Sequence, residues 1–257
     1  LYSRYGFLIY PLAIKATGAR AVSANEKNYK ANIGNLLAKA NKSTRVCFIA
    51  NPNNPTGTYL TISEVKMLRE QLPSSCLLVI DSAYSEFVTN KNYSDSISYA
   101  KKRKDIIVTH TFSKIFGLSS LRLGWAYCPE NIAMVLEKIR PAFNLNSYAQ
   151  LIGNIVLDDK SFLEKSIEHN YYWKNWLSNE FNKLGIKIIP SVANFITVIF
   201  NNPRKALMFV NYLEKKNILV RKLNAYNMDN CVRITIGTEL QNKTLLKFTK
   251  KFLKEIL

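Results

Sequence analysis

Histidine is nearly absent from this chain of 257 residues: His110 and His169 are the only two. Neither stands at metal-ligand spacing from the other or from a cysteine, which argues against a zinc site. The four cysteines, Cys47, Cys76, Cys128 and Cys231, are far apart and form no C-x-x-C pair. Three of them sit in apolar, strand-like stretches, the pattern of reduced, buried thiols in a cytoplasmic protein. No apolar run approaches the roughly 20 residues that span a bilayer. The opening stretch LYSRYGFLIYPLAI has no charged n-region followed by a small-residue cleavage site, so it does not read as a signal peptide. It also lacks an initiator Met and begins inside an apolar segment, so the chain is expected to be a fragment whose beginning is missing. Acidic residues are scarce as well, 18 against 36 lysines and arginines, for a net charge of +18. Such a surface can attract nucleic acid or anionic metabolites. The lysines are scattered, however, KKRK at 101–104 is short, and no helix-turn-helix or aromatic-studded basic strand is present. The charge therefore reads as a solvated surface, and neither nucleic acid nor a membrane is expected as a partner.

What the chain does have is enough apolar residue, 47% of the total, to bury a core in one large domain or one large and one small. From Ala40 to Trp125 short apolar runs alternate with helical stretches. RVCFIA (45–50), CLLVID (76–81), IIVTH (106–110) and LGWAYC (123–128) are apolar throughout, which suits a sheet covered on both faces. TISEVKMLREQL (61–72) has apolar residues at helical spacing, with Thr61 or Ser63 as N-cap. This alternation predicts an α/β fold with a mostly parallel sheet between helices. After Pro129 the pattern changes. ENIAMVLEKIR, SYAQLIGNIVLDD and an amphipathic stretch over about 161–184 are helical. GIKIIP, NFITVIF, a helix near 203–216, NILVRK, CVRITIG and a last helix ending in KFTKKFLKEIL follow. The expected division is a large domain over 1–158 and a smaller C-terminal α+β domain over 159–257.

The polar residues that interrupt the apolar runs fall at strand ends, and in open α/β sheets sites form beyond the carboxyl ends of the strands. Asn54 lies in the turn NPNNPTG after the first run, Asp81 closes the second, and Lys114 follows the third. Each alone has a plain structural reading, as a tight turn, a helix cap or a solvent-exposed loop lysine. Together they bring an amide, a carboxylate and an amine to one edge of the sheet.

NPNNPTG, DSAYSEF, TFSKIFGLSSLRLGW, PSVANF and VRITIG, in that order, resemble the fold type I pyridoxal-phosphate aminotransferases of class I/II, and among these the histidinol-phosphate aminotransferase family. The resemblance runs from about residue 6 to the C-terminus. It implies the fold type I large domain followed by a smaller C-terminal domain, pyridoxal 5'-phosphate as cofactor, amino- and keto-acid substrates, and a homodimer. Lys114 would hold the cofactor as a Schiff base and then shuttle the substrate Cα proton, which calls for an amine of lowered pKa. Asp81 would pair with the pyridine nitrogen, the partner that makes the ring an electron sink. Asn54 and Tyr84 would bond its phenolic oxygen, and Phe7 would stack on its face, although for Phe7 alone core packing is the simpler reading. Thr111, Ser113 and Arg122 would bind the phosphate, Arg122 through its planar fork. The family's remaining phosphate contacts come from a glycine-rich segment, expected upstream of Leu1. Arg233 would grip the α-carboxylate and Arg221 the substrate's own phosphate, with Lys222 an equal candidate. Asn194 matches a family landmark with no role that its chemistry suggests. Ser82 stands where many relatives have Glu, and it is expected to point away from the ring.

The activity implied is transamination between L-glutamate and imidazole-acetol phosphate in histidine biosynthesis. The rival readings are an aromatic-amino-acid aminotransferase, a threonine-phosphate decarboxylase, and a non-catalytic effector domain of a transcription regulator.

Overall fold

Two sheets organise the chain, and the first carries the continuous apolar runs. The computed structural model describes residues 1–255, so Ile256 and Leu257, the last residues of the expected final helix, lie outside the described residues. The first part runs β1 (Tyr2–Ser3), α1 (Ile9–Ala16), β2 (Ser23–Ala24), α2 (Ile33–Lys39), β3 (Val46–Ala50) and α3 (Ile62–Gln71). Then come β4 (Leu77–Asp81), α4 (Ile97–Ala100), β5 (Ile106–Thr111), β6 (Gly124–Tyr127), α5 (Glu130–Ile139) and α6 (Ser147–Asp158). These strands form one sheet in the order β2-β1-β3-β4-β5-β6. All neighbours are parallel except β6, which runs antiparallel to β5.

The sheet's core is where the sequence places it. Cys47, Ile49, Leu78, Ile80, Ile106 and Val108 point from the three central strands onto Leu36, Val65 and Leu68 of α2 and α3, all buried. Of the two N-cap candidates for α3 the structure uses Thr61, in a full capping box. Its hydroxyl accepts from the Glu64 N–H, and the Glu64 carboxylate accepts from the Thr61 N–H at 2.7 Å. The four cysteines are free thiols. Burial pushes Cys47 up to about 12 and Cys231 up to about 11, which makes both poor nucleophiles.

The second part comprises α7 (Lys160–Lys183), β7 (Lys187–Ile189), β8 (Phe195–Ile199), α8 (Pro203–Glu214), β9 (Arg221–Lys222), β10 (Cys231–Thr235) and α9 (Glu239–Glu255). Its sheet is antiparallel, in the order β7-β8-β10-β9. It packs onto Leu177 and Phe181 of α7, Phe209 and Leu213 of α8, and Phe252 of α9. A separate apolar cluster joins the two parts, with Tyr84, Phe87 and Ile115 against Ala193, Phe195 and the α7 residues Leu163 and Ile167.

Three features depart from the pattern read in the sequence. The first 40 residues hold two two-residue strands and two short helices too brief to show periodicity. NILVRK shortens to the two residues of β9. LGWAYC, expected to be covered on both faces, forms an edge strand whose Gly124, Trp125 and Ala126 are exposed. Apolarity reports a residue's demand for cover, but an edge strand has a neighbour on one side only. No helix among the described residues is long and apolar enough to cross a membrane.

Candidate active site

The turn after β3 shows how the sheet delivers one side chain and commits its neighbours. NPNNPTG has three asparagines that look alike in sequence. Asn51 closes the turn on Leu60, accepting its N–H at 2.8 Å and donating to its carbonyl at 3.0 Å. Asn53 donates to Thr56 Oγ1 at 2.9 Å and to the Tyr5 carbonyl at 3.1 Å. Asn54, between two cis prolyl bonds, is left to face outward from the sheet's carboxyl edge. The turn is anchored to the second part of the chain by the Val192 N–H on the Gly57 carbonyl (2.9 Å) and by Thr197 Oγ1 on the Pro55 carbonyl (2.5 Å).

Asn54, Asp81, Tyr84, Lys114 and Arg233 line one cavity of about 300 Å³, with Phe7 at its wall. The predicted amide, carboxylate and amine therefore meet as the strand-end argument requires. Asp81 ends β4, where its Oδ2 accepts from the Tyr10 hydroxyl at 2.8 Å and its Oδ1 from the Ala83 N–H at 3.2 Å. Burial raises the Asp81 pKa above the usual carboxylate value, against the pull of those two donors and of Lys114. Lys114 is half-buried, and its ammonium is held below the ordinary lysine value. Desolvation is the main cause, Arg233 and Arg122 add to it, and Asp81 opposes it. Its Nζ stands 5.4 Å from the centre of the Tyr84 ring, which packs edge-on against Phe195. Burial pushes the Tyr84 phenol up to about 12, so it remains a hydrogen-bond donor across the physiological range.

Arg233, expected to grip the α-carboxylate, is half-buried and lines the cavity. Its guanidinium donates to Asn54 Oδ1 and lies 5.0 Å over the Phe195 ring, while its Nε is buried with no partner among the described residues. β9 and β10 pair Arg221 with Arg233 in register. Arg221 thereby reaches the same cavity, which Lys222 does not line. Thr111, Ser113 and Arg122 form a group of their own on the Lys114 loop, outside the cavity's lining. Thr111 Oγ1 accepts the Ser113 N–H at 3.1 Å, and Arg122 donates to Ser113 Oγ at 3.4 Å and to the Ser119 carbonyl at 2.8 Å. Ser82 is buried and donates to the Asp95 carbonyl at 3.2 Å, and Asn194 enters through its backbone, accepting from Ile236.

Two residues of the site were not read from the sequence. Tyr226 lines the cavity from the loop before β10, and Tyr10 bonds Asp81 from α1. The available signal for Tyr10 is its place three residues after Phe7, across the turn that enters α1. It is legible only once that stretch is known to be a helix.

An open, mainly parallel sheet that gathers a half-buried lysine and a half-buried carboxylate at its carboxyl edge, closed by a second α+β unit carrying arginines, defines a class of α/β proteins with lysine-centred sites. Within that class the chain belongs to the family "Aminotransferase class I and II", whose family model matches residues 1–248. It is 44% identical over 254 residues to histidinol-phosphate aminotransferase of Paramagnetospirillum magneticum, a match covering 98% of this chain and 70% of that protein. It is 42% identical to histidinol-phosphate aminotransferase of Maricaulis maris, with the same coverage. Among solved structures, histidinol-phosphate aminotransferase from Sinorhizobium meliloti in complex with pyridoxal-5'-phosphate superposes with a TM-score of 0.92 at 22% identity. That match covers all of this chain and 70% of the other, and at this identity it speaks for the fold.

Proposed function

We propose that this chain is the catalytic polypeptide of a pyridoxal-phosphate-dependent transaminase acting between L-glutamate/2-oxoglutarate and histidinol phosphate/imidazole-acetol phosphate in histidine biosynthesis. The observation that carries the reading is the single cavity shared by Lys114, Asp81, Asn54, Tyr84 and Arg233. Its donor set fits the cofactor. A half-buried amine of lowered pKa is available for a carbonyl, a half-buried carboxylate for a ring nitrogen, and an amide and a phenol for a ring oxygen. The buried Nε of Arg233, without a partner among the described residues, is a donor awaiting an acceptor in the same place. The curated relatives at 42–44% identity support the substrate assignment.

Bound there, pyridoxal phosphate supplies an electron-withdrawing ring that stabilises the carbanion left when the substrate Cα loses its proton. Lys114 would hold the cofactor, and its amine, of depressed pKa, would accept the Cα proton at Nζ and return it. Asp81 in its charged form would face the ring nitrogen. Asn54 and Tyr84 would bond the ring oxygen, Phe7 would cover the ring face, and Thr111, Ser113 and Arg122 would hold the phosphate. Arg233 orients the α-carboxylate of either substrate, and Arg221, its in-register neighbour, receives the phosphate of the second. In this reading residues 1–158 are the cofactor domain and 159–257 the smaller domain, and the enzyme is a cytoplasmic homodimer.

The test uses the full-length protein. Wild type with cofactor is expected to show the visible band of a lysine-linked chromophore, and Lys114→Ala to lose both band and turnover. An unchanged band in that variant refutes the lysine assignment. Half-reactions with glutamate, then with histidinol phosphate against phenylalanine, test the substrate, and faster conversion of phenylalanine would overturn it.

A further inference from the structure

We propose that Tyr10 is a positioning residue for Asp81: its hydroxyl fixes the carboxylate, in the charged form, against the ring nitrogen of the cofactor. The inference rests on the reading of this cavity as a pyridoxal-phosphate site. Tyr10 lies in the first turn of α1, with its N–H on the Phe7 carbonyl at 3.0 Å. Its ring has little freedom. It stacks on Phe48 of β3 at 5.2 Å and 18°, meets Phe7 edge-on at 6.0 Å and 90°, and is 5% exposed. The hydroxyl emerges from that packing 2.8 Å from Asp81 Oδ2. Among the described residues no other side chain is hydrogen-bonded to this carboxylate, whose second oxygen takes the Ala83 N–H.

Burial works against the charge that Asp81 needs. A protonated carboxyl would present a donor to a ring nitrogen that must itself carry a proton. The other groups that act on the carboxylate are Lys114 and His110, with the phenols of Tyr84 and Tyr226 near the Tyr10 ring, and none of them is bonded to it. Burial and the neighbouring carboxylate also raise the Tyr10 phenol's pKa well above its ordinary value, so it acts as a donor at any working pH. A donor on each oxygen favours the ionised form and sets the plane of the carboxylate. Because the ring of Tyr10 touches Phe7, the turn that leads into α1 ties the aromatic wall of the cavity to the carboxylate at its base. The competing account is that Tyr10 is core packing whose hydroxyl is incidental, and substitution by phenylalanine separates the two.

The test compares full-length wild type and Tyr10→Phe. In cofactor-free protein the Asp81 carboxyl is followed by infrared difference spectroscopy, its signal identified by loss in Asp81→Asn. Removing the hydroxyl is expected to shift the titration upward by about one unit, an effect of roughly tenfold on the ionisation equilibrium. The affinity for pyridoxal phosphate should weaken roughly tenfold, with thermal unfolding little changed because the ring stack is kept. Tyr10→Leu, which removes ring and hydroxyl together, should match the titration shift and also lower the melting temperature. An Asp81 titration and a cofactor affinity in Tyr10→Phe equal to wild type overturn the proposal. A wild-type protein that binds no pyridoxal phosphate overturns the cofactor reading instead, and the titration in unloaded protein still decides whether Tyr10 governs Asp81.

Discussion

Gly57 closes the NPNNPTG turn with φ of +76°, and its carbonyl receives the Val192 N–H from the loop before β8. The two backbones approach so closely that a Cβ built on Gly57 would fall 2.5 Å from Ser191 Cβ and 3.0 Å from its Cα. Ser191 cannot retreat freely, since its hydroxyl donates to the Phe195 carbonyl at 2.6 Å and accepts the Ala193 N–H at 3.2 Å. Gly57→Ala therefore carries two costs. A non-glycine residue in the left-handed region costs about 1–2 kcal/mol. Overpacking against a held backbone adds about 1–3 kcal/mol. The sum, about 2–5 kcal/mol, corresponds to a fall in melting temperature of roughly 5–20 °C for a chain of this size. The same displacement moves Asn54, three residues upstream, so the affinity for pyridoxal phosphate should drop with the stability. Thermal unfolding by circular dichroism and a cofactor titration on the full-length variant provide the measurements. A melting temperature within about 2 °C of wild type, with unchanged cofactor affinity, would refute the claim that this contact holds the turn in place.

Lys174 on α7 is 8% exposed, and burial lowers its pKa from 10.5 to about 8. Below about pH 8 the lysine is charged in both states, so the folded protein bears the full burial cost, at most about 3 kcal/mol by linkage. As pH rises from about 8 toward 10.5 the folded state sheds the proton that the unfolded state still keeps, and the wild type gains stability. Lys174→Met should thus be the more stable form near neutral pH, by about 1–3 kcal/mol in urea unfolding, with the advantage fading toward high pH. An advantage that does not change with pH would sink this reasoning. Thr61→Ala removes the hydroxyl half of the α3 capping box and should cost about 1 kcal/mol without altering cofactor affinity. Equal denaturant midpoints for variant and wild type would count against the cap.

Much of the fold is visible in local pattern. β3, β4 and β5 are continuous apolar runs because both faces of the sheet are covered, and their polar terminators, Asn54, Asp81 and the Lys114 loop, mark the edge where the cavity forms. Other parts leave no such trace. β1 and β2 are two residues each, and α1 begins at Ile9 after an N-cap, Leu8, that makes no side-chain cap, so Tyr10 carries no periodic signal that would assign it to a face. Trp125 has the composition of a core strand and the position of an edge.

The sequence by itself determined the central strands β3, β4 and β5, the order of the amide, carboxylate and amine, and the family to which they belong, because these depend on residue type and short-range spacing. Tertiary structure alone decided which near-equivalent residue serves. Asn54 faces the cavity because Asn51 and Asn53 are bonded to the backbone of the turn and its surroundings. Arg221 reaches the cavity and Lys222 does not, because β9 pairs with β10 in one register and adjacent strand residues point to opposite faces. Tyr10 meets Asp81 across 71 positions of chain, since packing on Phe48 aims its hydroxyl there. Such choices are made by register and long-range contact, which local spacing does not encode.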